Sequence, residues 1–192
     1  MAKNYEFKPD KPLVGWASKL HLTKLQRASL LKWALYALLL LVLSVLQDVV
    51  LCRFRLFGAT TELVPCGIFM ICILEGSHTG SLFALISACL YLFSGTPAGP
   101  YSMVLITFLG IFVCMFRQNF LQEGFAAMLL CTVFCMIAYE GITFLVGFLT
   151  GLTRFDRWIG FAVTAGLTSL TIPILYPIVL SIGSIGGELW KE

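Results

Sequence analysis

Charge is scarce in this chain: only 12% of its 192 residues are charged, and histidine occurs twice. Such a composition excludes an ordinary soluble domain, and nucleic acid is not an expected partner. His21 and His78 cannot supply two imidazoles at helical spacing beside a carboxylate, so a hydrolytic zinc site is not expected. Cysteine is present but unpaired in pattern. Cys52, Cys66, Cys72, Cys89, Cys114, Cys131 and Cys135 contain no C-x-x-C, and Cys131 and Cys135, which share a helix face, have no histidine nearby. All seven read as small apolar packing residues. A nucleotide loop of the G-x-x-x-x-G-K-[ST] type is missing, as is the strand alternation of a membrane barrel. No cofactor, metal or catalytic residue is expected, and the chain does not read as an enzyme.

What the chain has instead is apolar length: 59% of it is hydrophobic, at a mean hydropathy of +0.92. In lipid each apolar stretch must satisfy its own backbone hydrogen bonds, which points to an all-α membrane protein and makes the bilayer the first partner. The clear spans are Trp33 to Leu51, Tyr101 to Phe116, Phe125 to Leu149 and Trp158 to Ile182. The segment Leu56 to Phe93 is too long for one helix and is broken by EGSHTG. It divides into Leu56 to Leu74 and Thr79 to Phe93, for six transmembrane helices, with a tilted or re-entrant hairpin as the other possibility.

Three regions follow: a basic leader over 1–32, one polytopic membrane domain over 33–183, and a short tail over 184–192. The leader carries seven of the thirteen basic residues: Lys3, Lys8, Lys11, Lys19, Lys24, Arg27 and Lys32. Six spans then place nine basic residues inside and four outside, with both termini cytoplasmic. Lys19, Lys24, Arg27 and Lys32 interleave with leucines just before the first span, as a topology signal or a segment resting on anionic headgroups would.

In Leu74-Glu75-Gly76-Ser77-His78-Thr79-Gly80-Ser81 the glycines permit a sharp turn, and the polar side chains can satisfy helix ends. His78 has no partner ligand in sequence. Gly76, Gly80, Ala84 and Ala88 recur every four residues and offer a small face for close helix packing, with a neighbour in this chain or another. "SGTPAGP", Ser94 to Pro100, reads as a stiff outer turn. Pro173 and Pro177 should kink or locally unwind the last span.

Ionisable groups inside a span are costly and face protein or water. Glu140, in "MIAYEGITF", is the clearest one. Two readings stand for it: a proton, ligand or partner site, or a neutral carboxyl bonded to Tyr139, a threonine or a neighbouring helix. Gln47 and Asp48 fall near the outer interface and read as wet.

The stretch Leu56 to Leu121 carries Pro65 near the start of the second helix, the small positions Gly76, Gly80, Ala84 and Ala88, an outer loop with Gly95 and Gly99, and Gly110 in the fourth helix. In this it resembles the bacterial rod shape-determining MreD family. Many members resemble G-x-x-x-G-x-x-x-G followed by a helix-ending aspartate. Here Ala84 takes the third small position and Tyr91 or Ser94 the place of the acid. The resemblance implies a non-enzymatic scaffold of the cell-elongation machinery in the bacterial cell membrane, contacting a single-span MreC-like protein and cell-wall synthases. The small positions would then be packing or partner contacts. The competing expectation is the substrate-binding membrane subunit of an energy-coupling-factor vitamin transporter, of similar size and helix count. A polar pocket open to the outside would separate the two.

Overall fold

The computed structural model describes residues 24–53, 59–95, 97, 99–120 and 124–185. Among them lie six α-helices and no strand. They are α1 (Lys24–Val45), α2 (Leu63–Glu75), α3 (Ser77–Phe93), α4 (Tyr101–Phe120), α5 (Phe125–Leu149) and α6 (Trp158–Gly183). α1 runs on through a π-helical turn, Leu46–Val50, and a 3-10 turn, Leu51–Arg53.

Local chemistry sets the boundaries. Pro65 lies in the first turn of α2, where a missing N–H forfeits no helical hydrogen bond. Gly76 ends α2 at φ +83°, a conformation that a side chain resists, so α3 can begin one residue later. α5 ends in the same manner: Gly151 takes φ +72°, and the Leu152 and Thr153 N–H groups return to the Gly147 carbonyl at 2.9 and 3.0 Å.

α2 is the organising element. Every residue from Leu63 to Leu74 is buried, and the helix touches each of the other five. Its 13 residues make a rod of about 20 Å, well short of a hydrocarbon core of about 30 Å. Enclosure removes the need to match the bilayer, because its surface meets protein rather than lipid. The bundle's exterior is apolar as well: Leu82, Leu90, Phe108, Leu130, Phe134, Leu170 and Ile174 are all exposed. An apolar interior within an apolar surface is what a helix bundle in lipid presents.

Several expectations change. Three stretches, Arg27–Arg53, Phe125–Leu149 and Phe155–Gly183, are long and apolar enough to cross a membrane. The apolar stretches Leu63–Glu75, His78–Phe93 and Tyr101–Arg117 are shorter. Six helices are present, then, and three of them meet both the length and the apolarity for a span over their described residues. The first helix begins at Lys24 rather than Trp33, so the end of the basic leader is helical and continuous with α1. α2 starts at Leu63 rather than Leu56, since residues 60–62 are not helical. α6 is unbroken from Trp158 to Gly183, and the expected unwinding is not found. Pro173 and Pro177 both sit on its exposed side, where each removes one N–H and the rest of the ladder continues.

Candidate functional site

At one end of the bundle the EGSHTG turn is tied to two other helices. Lys32 Nζ on α1 lies 2.7 Å from Glu75 Oε1, and Tyr36 Oη donates to the same oxygen at 2.8 Å. From α4, Arg117 Nη1 donates to the Leu74 carbonyl at 2.8 Å, one of the groups that the end of α2 leaves unpaired. The turn is therefore a clamp joining α1, α2 and α4. His78 is exposed and takes no side-chain part in it; its carbonyl accepts from Ser81 Oγ at 3.1 Å.

Lys32 is accordingly a partly buried ion-pair partner of Glu75. Arg27 is exposed, Lys24 lies in the first turn of α1, and Lys19 falls outside the described residues.

The small-residue stripe is used within this chain. An added Cβ at Gly80 would lie 2.8 Å from Cys114 Sγ and 3.1 Å from the Cys72 carbonyl, and one at Gly110 would lie 2.7 Å from Ala84 Cβ. Ala84 and Ala88 are fully buried. α2, α3 and α4 thus meet through these positions. Gly76 faces Arg117 instead. At Gly95, which takes φ +75°, an added Cβ would meet nothing within 4 Å, and one at Gly99 would be close only to Tyr101. Neither of the last two packs against another helix among the described residues.

The opposite end holds a buried polar chamber that brings together residues from six elements. Gln47, in the π-helical turn, is 5% exposed and buried rather than wet. Its Nε2 donates to Tyr91 Oη at 3.1 Å, and its Oε1 accepts from the Val64 N–H at 3.1 Å, which is an unpaired donor of the α2 N-terminus. Beside it the Glu62 N–H donates to Thr168 Oγ1 of α6 at 3.1 Å. Tyr139 of α5 neighbours the Glu62 carboxyl, and Glu140, Tyr91 and Tyr101 lie within electrostatic reach of it.

Glu140 is 3% exposed, at the level of this chamber. Tyr139 is turned to Glu62, and Glu140 Oε1, Glu62 Oε2 and Thr143 Oγ1 are buried with no hydrogen-bond partner among the described residues. Thr143 contrasts with its neighbours. Thr132, Thr164, Thr168 and Ser169 each donate to the carbonyl four residues earlier, at 2.7 to 3.0 Å.

Outside the chamber α5 and α6 splay to leave a groove of about 760 Å³, lined by Ile137, Gly141 and Phe144 from one helix and Phe161, Ala162 and Gly166 from the other. Side chains added at Gly141 or Gly166 would meet open space. Glu140 forms part of its wall.

Sequence reasoning singles out Glu140 but not the roles of Gln47, Glu62, Thr143 or Thr168. Only Glu140 announces itself as an acid deep in a span; the others are drawn in by helices distant in sequence. All seven cysteines are free thiols, and no group of three metal-ligating side chains forms among the described residues.

Fold and sites together define a six-helix, all-α bundle of membrane composition, built on an enclosed central helix with a clamp at one end and an acidic chamber at the other. No family model, no curated protein and no solved structure matches the chain.

Proposed function

We propose that the protein is a non-enzymatic membrane scaffold of the MreD type, lying in the bacterial cell membrane with both termini cytoplasmic. In this role it docks a single-span MreC-like helix and, through it, the cell-wall synthases of the elongation machinery. One observation carries the reading. The stripe of Gly80, Ala84, Ala88 and Gly110 is spent inside the bundle, whereas Gly141, Ala162 and Gly166 line an outward-facing groove where nothing among the described residues approaches the two glycines. Small residues at a lipid-facing surface let a second helix come close enough for backbone packing.

A second reading, the substrate-binding subunit of a vitamin transporter, is favoured by the polar chamber at the Glu62 end. Polar groups converging inside an apolar bundle are a usual feature of a small-molecule site.

Gentle affinity purification from the native membrane, followed by mass spectrometry, tests both. Recovery of a single-span protein with cell-wall synthases, lost in Gly166→Trp, supports the scaffold. A transmembrane coupling subunit with two ATPases overturns it in favour of the carrier.

A further inference from the structure

The chamber at the Glu62 end poses a charge problem. Two carboxyls from different elements, Glu62 ahead of α2 and Glu140 on α5, are close enough to interact, and each has a buried oxygen without a hydrogen-bond partner. Thr143 Oγ1 adds a third such oxygen one helical turn beyond Glu140. Among the described residues, the other titratable groups around it are Tyr91 from α3, Tyr101 from α4, Tyr139 from α5 and Asp48 at the end of α1. α6 contributes the Thr168 hydroxyl, which accepts from the Glu62 N–H. None of these groups is a cation.

Burying a carboxylate without a compensating charge is prohibitive, and two neighbouring carboxylates compound the cost. The N-terminus of α2 points its Val64 N–H into the chamber and brings about half a positive charge, too little for two acids. The three unmet oxygens, one hydroxyl and two carboxyl, make an all-oxygen donor set, which suits a small hard cation and not a soft metal.

We propose that the Glu62–Glu140–Thr143 chamber is a monovalent cation site, where one positive charge, an alkali ion of sodium size or a proton, bridges the two carboxyls. The site shares Glu140 with the wall of the groove, but its occupancy by a cation is tested without reference to a docked partner helix. Its occupant ties the connection ahead of α2 to α5, and so locks the enclosed helix into the bundle.

The test is thermal unfolding of the purified full chain in lipid nanodiscs, followed by tryptophan fluorescence from pH 5 to pH 9 at constant ionic strength in sodium chloride or choline chloride. With sodium as the cation, the Tm at high pH rises with the logarithm of sodium concentration and choline does not substitute. If a proton fills the role, the Tm falls with rising pH equally in both salts. In either case Glu140→Gln flattens the response. Thr143→Val removes one ligand without touching charge, so it abolishes the sodium response and leaves the proton response. It also keeps the question answerable should Glu140→Gln fail to fold. A wild-type Tm indifferent to both pH and sodium, or a response unchanged in Glu140→Gln, overturns the proposal.

Discussion

Lys32 and Glu75 lie 43 positions apart, yet their side chains meet at 2.7 Å, with Tyr36 bonded to the same carboxylate oxygen. The pair is 13% and 7% exposed, shielded enough for the partners to depend on each other. Glu75→Ala leaves Lys32 and Tyr36 facing an apolar wall and is expected to destabilise the bundle by about 3 kcal/mol, the usual result of orphaning one member of a shielded pair. Lys32→Met together with Glu75→Leu should recover most of the loss. A thermal-unfolding double-mutant cycle measures this coupling, and additive losses would mean that the clamp contributes nothing.

Glycines at close contacts and glycines at open positions should part company. Gly80→Ala and Gly110→Ala each force a methyl group into contact at under 3 Å, and overpacking of this kind costs about 1–3 kcal/mol. Gly166→Ala adds its methyl to open space and gains helix propensity, so its unfolding temperature should hold or rise. Fluorescence-detected size exclusion after graded heating compares the three. Equal behaviour would refute the packing geometry.

Gln47 joins the π-helical turn to α2 and α3. Gln47→Leu leaves the Val64 N–H and Tyr91 Oη without these bonds, at a cost of about 1–3 kcal/mol for each buried group left unmet. Gln47→Glu can accept from both the N–H and the hydroxyl but buries a further carboxyl near Glu62, so it should approach wild type only at low pH, where that carboxyl is protonated. The ordering of the two variants in an unfolding series is the check.

Burial pushes the Glu62 carboxyl up to about 7, with the Tyr139 hydroxyl opposing the shift. A folded-state value above the unfolded one means that the folded protein holds this proton more tightly. The stabilisation is complete below the unfolded value of roughly 4.3 and is lost as pH rises through about 7. In choline chloride the wild-type Tm should therefore decline between pH 5 and pH 8. Glu62→Gln should remove the part of that slope that belongs to this group.

Much of the architecture is legible in the chain, because it depends on local rules. Apolar length forces helices, and Gly76 and Pro65 punctuate them where their backbone chemistry requires. The α5 range, Phe125–Leu149, agrees with the sequence reading to the residue. The Lys32 ion pair is not legible in the chain, because its partner Glu75 is supplied by another helix. Gln47 misleads for the same kind of reason. Its nearness to a helix end suggests water, but α2 and α3 close over it.

By itself the sequence determined the class of the protein, an all-helical chain of membrane composition, together with the places where its helices turn. Hydrophobic runs and backbone-breaking residues act within a few positions of themselves, so a linear reading captures them. Tertiary structure alone decided that α2, too short to span, is enclosed by its neighbours, and that the small-residue stripe is spent inside the bundle. It also decided that Glu62 and Glu140 belong to one chamber, 78 positions apart in the chain. Such relations arise from which helix faces meet, and that depends on the packing of all six helices together.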